Sequence, residues 1–329
     1  MDSITTEQHR TSQDDQPTSS HIGIAERLGY PKHVDADIVI PVYNEEHTLD
    51  ACIQKLGGML AGHLESPKAF TWNIIIADNA STDDTWKVAE RLCAMHPAFL
   101  RAVRIDRKGR GAALKASWSE SLARVVAYMD VDLSTDINYT GALIGSLLAG
   151  GADVAIGSRL LSESDVTRST KREFISRTYN LMLRTYLGVT FHDAQCGFKA
   201  LTARAAHILL PKVEDNEWFF DTELLVLAEM RHMNIYEIPV TWVEDSDSRV
   251  NIPDTVSKDL TGMRRMRRTL RMERSGLETG HSRPRSTADR YSRQRYQLSS
   301  AYSSIGWDAQ GQHELRGSLI ELANVKVGA

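Results

Sequence analysis

Three carboxylates fall within seven residues of the stretch AYMDVDLSTD (127–136): Asp130, Asp132 and Asp136. They follow the apolar run Val125-Val126-Ala127-Tyr128-Met129, which reads as a buried strand. Acids at the end of an apolar strand repel one another and lose hydration, so something must offset that cost. Side chains alternate along a strand, so Asp130 and Asp132 are expected to point the same way. Two hard oxygen donors on one side of a sheet edge suit Mg2+ or Mn2+, which could bridge to phosphate oxygens. The bland alternative is a solvated strand end. Asp78, which closes the apolar stretch WNIIIADN (72–79), adds a third acid at the same expected edge. It too has a plainer reading, as a cap for a helix starting near Ser81.

Other residue types narrow the chemistry. Lys108-Gly109-Arg110-Gly111 is either an exposed turn or a basic, glycine-rich loop facing phosphate. Gly157-Ser158-Arg159 places a guanidinium after another apolar stretch. The three cysteines, Cys52, Cys93 and Cys196, lack C-x-x-C spacing. That argues against a disulfide framework and a zinc site, and suits a reducing compartment. Cys196 reads as a packing residue rather than a nucleophile. The eleven histidines are scattered, and no G-x-S-x-G elbow is present for a hydrolase triad.

These groups need a frame. Strands are expected at 36–43, 72–79, 100–106, 124–132 and 153–159, and helices at 44–60, 81–96, 109–122 and 139–150. Asn44 and Ser81 stand as N-caps, with acids in the turns that follow. The alternation predicts an α/β fold, a mostly parallel sheet sandwiched by helices. Ligands of such sheets bind beyond the carboxyl ends of the strands, where the polar clusters fall. The 329 residues carry a net charge of −4, which does not advertise a nucleic-acid partner. No run of 18 apolar residues exists, and the N-terminus lacks a signal-peptide core. Residues 1–34 and 273–329 are polar and expected to be largely disordered, with SLIELANVKV (318–327) as a patch of possible local order.

The motifs IVIPVYNEEHTL, IIIADNASTDDT, KGRGAALKAS, AYMDVDLSTD, AIGSR and DAQCGFKAL occur in that order. The series resembles glycosyltransferase family 2, whose GT-A (Rossmann-like) enzymes use nucleotide-sugar donors. Within it, the chain looks like the dolichyl- or polyprenyl-phosphate sugar synthases. The glucosyl-type members share D-x-Q-C-G-F-K and W-x-x-D-x-E-L-L, here Trp218 to Leu225. The resemblance covers residues 36–272 and implies a catalytic domain over 35–255. It implies that Pro41, Tyr43, Glu45 and Asp78 serve the nucleotide base and ribose. Lys108, Gly109, Gly111 and Lys115 fall on the nucleotide-facing loop. Asp130 and Asp132 would bind the metal and the donor diphosphate, and Arg159 would face phosphate. Asp193, Gln195 and Cys196 would border the sugar and acceptor, and Trp218, Asp221 and Arg249 would contact acceptor or phosphate. The departures are Asp78-Asn79-Ala80 in place of two adjacent acids and a glycine, Ala194 for the common Thr, and His192 for a frequent Arg.

The implied reaction is inverting transfer of a hexose from a UDP- or GDP-sugar to a polyprenyl phosphate. The alternative acceptor is a soluble or cell-wall saccharide. A phosphate acceptor is already ionised at pH 7, whereas a hydroxyl acceptor would call on Asp193 as a base. Residues 256–272 bear on the choice. Val256, Leu260, Met263, Met266 and Leu270 share a helical face, with Lys258, Arg264, Arg265, Arg268 and Arg271 around it and Arg267 intruding. Two readings stay open: an interfacial helix on anionic lipid, or a packing helix with a solvated basic face. The first predicts a cytoplasmic protein held peripherally at the cytoplasmic membrane face.

Overall fold

The computed structural model describes residues 24–63, 69–244 and 252–277, with the side chains of 63, 252–256 and 273–277 left aside. The first strand, β1 (Ile24–Leu28), lies inside the segment expected to be disordered. It is held by antiparallel pairing with β4 (Leu100–Ile105). Next come β2 (Ala36–Val42), β3 (Trp72–Asn79) and β5 (Val125–Met129). These three and β4 run parallel, with β2 between β3 and β5. Every residue of β2 is buried, because a parallel strand with helices on both faces has no solvent side.

The sheet continues through β6 (Val154–Ser158), β8 (Phe198–Thr202) and β9 (Ile235–Pro239), in the order β1-β4-β3-β2-β5-β8-β6-β9. β8 is antiparallel to both neighbours, so the sheet is mostly but not wholly parallel. Two short strands, β7 (Asp165–Thr167) and β10 (Thr241–Val243), pair beside it.

Side-chain alternation divides the core in two. Ile38, Ile40 and Val42 face a cluster with α1 (Leu49–His63), α2 (Thr85–Met95) and α4 (Thr140–Leu148). Val39 faces the other cluster, built with α3 (Arg110–Ser119), α5 (Thr170–Leu187), α6 (Ala203–Leu209), α7 (Phe220–Met230) and α8 (Ile252–Leu277).

Three expectations change. Asn44 is not a helix cap: it has φ +57°, and its Oδ1 accepts the Thr82 N–H at 2.8 Å. Helix α1 therefore begins only at Leu49, after a turn closed on the Glu45 carbonyl. Glu46 likewise spends its carboxylate across the gap, on the Asp84 N–H that precedes α2. Second, β5 stops at Met129 and the two key acids lie in the turn beyond it, where Leu133 N–H donates to the Asp130 carbonyl. The strand-alternation argument therefore does not govern them. Third, α8 spans Ile252–Leu277 and its apolar face is taken by the protein: Met263 and Met266 are buried, with Leu260 and Leu270 packed against the same core. Arg249 lies outside the described residues, as do the expectations for 1–23 and 278–329.

Candidate active site

The carboxyl ends of β2, β3 and β5 meet the N-terminus of α3. Asn79 ties three of these pieces together: its Nδ2 donates to the Val42 carbonyl at 2.6 Å and its Oδ1 accepts the Gly109 N–H at 3.3 Å. Helix α3 can start there because Gly111 has no side chain. A Cβ at Gly111 would sit 2.6 Å from the Phe220 Cβ.

Arg110, the first residue of α3, is the hub. Its guanidinium donates to Asp221 Oδ2 (2.9 Å), Tyr128 OH (3.0 Å) and Asp130 Oδ1 (2.9 Å). It lies between the rings of Tyr128 and the half-exposed Trp218, 4.9 and 5.0 Å from their centroids. Behind it, fully buried Lys199 reaches Asp221 Oδ1 at 3.0 Å and the Cys196 carbonyl at 2.5 Å. The Tyr128 hydroxyl donates to Asp221 Oδ1. Burial works against the Asp221 charge, but Lys199 and Arg110 together hold its carboxyl below the ordinary value. Burial pushes the Tyr128 phenol well above its ordinary pKa and so keeps it a donor.

Asp130 sits at the open side of this network, 42% of its side chain exposed. Its carboxylate fills the space beside Gly197, where a Cβ would come 1.7 Å from Oδ2. Partial burial raises the Asp130 pKa; Arg110 opposes that, and the like charges of Asp132 and Asp221 add to it. Arg110 pairs with Asp130 and Asp221, Lys199 with Asp221, and Asp132 is exposed beside them. Among the described residues no three His, Cys, Asp or Glu side chains gather closely enough to hold a metal by themselves. Asp130 and Asp132 would supply two hard carboxylates. That suits a cation which completes its shell with water and phosphate oxygens, and not a closed tetrahedral centre.

The second centre is the pair Arg159–Asp193. Arg159 Nε and Nη2 bond Asp193 at 2.7 and 2.9 Å, and its backbone N–H donates to Oδ2 at 3.0 Å. Gln195 N–H takes Oδ1 at 3.1 Å. Burial opposes the Asp193 charge, yet Arg159 outweighs it and holds the carboxyl down at about 2. Trp242 lies under the guanidinium, 5.4 Å away. With both oxygens engaged, Asp193 positions Arg159, and it is not placed to act as a base.

Other expected site residues divide. Lys108 Nζ lies 3.7 Å over the Tyr43 ring, so these two share one wall. Pro41 is buried within β2, opposite Ala77. The Glu45 N–H donates to Thr85 Oγ1, which fixes the adjoining loop. Asp78 is fully buried, with Oδ1 on the Ser81 N–H (2.9 Å) and Oδ2 3.3 Å from Arg104; it closes the turn at Ser81 and does not cap a helix there, since α2 begins at Thr85. Lys115 turns away from the strand ends to the Val213 carbonyl (2.6 Å) and Asn216 Oδ1 (2.9 Å), and burial lowers its pKa to about 8. Asp221 is inside the protein as the partner of Arg110 and Lys199, not at a surface that an acceptor reaches. Cys196 is buried, and burial raises its thiol to about 11, as a packing residue requires. Gln195 extends its amide to Asp259 of α8 at 3.4 Å.

Lys199, and the role of Arg110 as a buried hub and not a loop cation, were not expected from the sequence. Their signals are present: a cation between two glycines, and a lysine inside the apolar strand FKALT.

A nucleotide-binding type of α/β sheet, with paired acids at its carboxyl edge and fixed cations behind them, defines a GT-A glycosyltransferase. The profile of Glycosyl transferase family 2 matches residues 37–209, more than half of the chain, and the chain belongs to that family. It is 34% identical over 230 residues to Glycosyltransferase AglD of Haloferax volcanii, covering 70% of this chain but 36% of that protein. It is 31% identical over 229 residues to Dolichyl-phosphate beta-glucosyltransferase ALG5C of Trichomonas vaginalis, covering 68% of each. The fold also matches the glucosyl-3-phosphoglycerate synthase of Mycobacterium tuberculosis in complex with Mn2+, UDP and phosphoglyceric acid. There the TM-score is 0.52 at 18% identity, over 71% of this chain and 78% of that one.

Proposed function

We propose that this glycosyltransferase moves a hexose, with inversion, from a UDP- or GDP-sugar to a polyprenyl phosphate. One observation favours this acceptor over a saccharide. A hydroxyl nucleophile needs a base, and Asp193, the base that the sequence offers, is engaged on both oxygens by Arg159 and Gln195. A lipid phosphate arrives already ionised and needs none. The similarity to a dolichyl-phosphate glucosyltransferase over two thirds of each chain supports the same reading.

Asp130 and Asp132 would hold Mg2+ or Mn2+, which when bound neutralises the diphosphate of the departing nucleotide. Arg110 keeps the Asp130 carboxylate in place through Oδ1. Arg159, fixed by Asp193, would meet phosphate. Tyr43, with Lys108 over its ring, would stack the base. No helix among the described residues is long and apolar enough to cross a membrane. Contact with the bilayer that holds the acceptor would be peripheral, at the cytoplasmic face.

The test is a donor screen. The protein is mixed with each UDP- and GDP-hexose, with and without a short polyprenyl phosphate, in Mg2+ or Mn2+ and again in EDTA. The expected result is consumption of one donor only when the polyprenyl phosphate is present, lost in EDTA and in Asp132→Ala. Transfer to free saccharides at the same rate would reject the lipid acceptor. Full activity in EDTA would reject the metal.

A further inference from the structure

Arg264, Arg268 and Arg271 of α8 face solvent, whereas Leu260, Met263, Met266 and Leu270 pack inward and Met272, near the end of the helix, is 70% exposed. Met263 and Met266 are 1% and 2% exposed. An interfacial helix must place an apolar stripe in lipid, and of the described apolar side chains of α8 all but Met272 pack into or against the core. Its exposed positions are Ser257, Lys258, Thr261, Arg264, Arg268, Arg271 and Met272. The exposed apolar stripe comes from α5. Phe174 is 72% and Leu181 54% exposed, and seven residues put them on one face, two turns apart. Lys171 and Thr178 share that exposed side, while Ser176, Tyr179, Asn180, Leu183 and Leu187 are buried on the other.

The two helices are neighbours. The Tyr179 hydroxyl of α5 lies beside the Asp259 carboxylate of α8, and the Arg267 guanidinium lies 4.1 Å over the Tyr186 ring. Steps of similar length along both helices separate these contacts, so α5 and α8 run parallel. Their inward faces enter one core cluster: Tyr179, Leu183 and Leu187 from α5, Met263 and Met266 from α8. Their outward stripes therefore leave the protein on the same side. Singly exposed apolar residues are ordinary; two on one helix beside an arginine stripe on its partner are a surface with two complementary halves.

We propose that the α5–α8 surface docks on an anionic lipid bilayer, with Phe174 and Leu181 entering the acyl boundary and Arg264, Arg268 and Arg271 on the headgroups. Charge complementarity selects this occupant. Arg264, Arg268 and Arg271 are exposed on a chain whose net charge is −4, so the positive potential is local to this face and matches an acidic headgroup layer. The inference rests on the lipid-phosphate reading above for its purpose, but its test is independent of transfer.

The full chain is sedimented with vesicles of equimolar phosphatidylcholine and phosphatidylserine. The wild type should bind, and should detach as salt rises. The Arg264→Gln/Arg268→Gln/Arg271→Gln variant should lose roughly a hundredfold in partitioning at low salt, about fivefold per arginine. Phe174→Ser/Leu181→Ser should lose roughly tenfold or more and keep the residual salt dependence. Both variants should melt as the wild type does, because these side chains are exposed. Both should also keep wild-type transfer to a short, water-soluble polyprenyl phosphate. Wild-type partitioning by the Phe174→Ser/Leu181→Ser variant would overturn the proposal. So would a wild-type dimer that this variant dissociates, since the face would then belong to a second copy. If the wild type binds vesicles but transfers nothing to any polyprenyl phosphate, the acceptor reading fails and the docking surface stands.

Discussion

Asp130 and Asp193 are both carboxylates beyond strand ends, and their surroundings give them opposite work. Asp130 keeps an open side and shares one guanidinium bond, so it can take another cation. Asp193 is closed on both oxygens and serves only to aim Arg159. The pKa of Asp193, about 2, lies below the unfolded value near 3.8. Its stabilisation is therefore complete above about pH 4 and is lost as pH falls toward 2. Asp193→Asn places an amide against the arginine donors and leaves a buried guanidinium without its counter-charge. We expect it to cost about 3 kcal/mol at pH 7, with the gap to wild type closing between about pH 4 and 2. Urea denaturation across that range checks it; a gap independent of pH would mean that the charge of Asp193 is not what stabilises the pair. The sequence exposed Asp130, Asp132 and Arg159 because each ends an apolar run. It hid Arg110 and Lys199, because a buried cation is recognisable only by its partner, and Asp221 is 111 residues from Arg110.

Helix α8 shows what one element's pattern can and cannot say. Its apolar periodicity is real, and the sequence left open whether lipid or protein covers that face; Met263 and Met266 in the core give the answer for protein. Helix starts were legible only to within a turn. Asn44 and Glu46 look like local start signals but bond the neighbouring loop. Buried Asp259 is the charged exception on the inward face of α8. Burial, and secondarily the Asp215 charge, raises its carboxyl to about 7. Between about pH 4 and 7 the folded chain holds a proton there that the unfolded chain has released, so stability falls as pH rises through that window. A displacement of about three pH units sets a ceiling of about 4 kcal/mol on the penalty above pH 7. Asp259→Asn removes the penalty and keeps an oxygen for the Gln195 amide. The variant should melt above wild type at pH 8 and level with it near pH 4, as read by scanning calorimetry. A lower melting temperature at pH 8 would mean that the charged form of Asp259 has a stabilising partner.

At the scale of the molecule, the parallel half of the sheet was legible because β2, β3 and β5 carry apolar runs followed by polar turns, and β4, with Arg101 and Arg104 among its apolar residues, falls between two helix patterns. The antiparallel β1 and β8 were not. Pairing direction is set by contacts far apart in sequence, such as Ile24 with Ile105 and Val125 with Thr202. The same distance argument applies to where the folding unit ends. Family-type motifs end near Leu225, and a boundary at 255 treats the last helix as an appendage. The core disagrees: Gly262 packs so closely on Phe219 that a Cβ would lie 2.4 Å from its ring. Met263 and Met266 fill the same cluster, flanked by Leu260 and Leu270. Each such side chain contributes about 1.5–3 kcal/mol when buried, and a whole domain has only about 5–15 kcal/mol to lose. A fragment of residues 24–277 should thus fold with the wild-type melting temperature and transfer to a water-soluble acceptor. A fragment of residues 24–251 should be insoluble or molten, although it retains Asp130, Asp132, Arg159 and Arg110. Near-ultraviolet circular dichroism of the two fragments distinguishes the outcomes. A shorter fragment with native tertiary signal would make α8 an attachment to the catalytic fold rather than one of its walls.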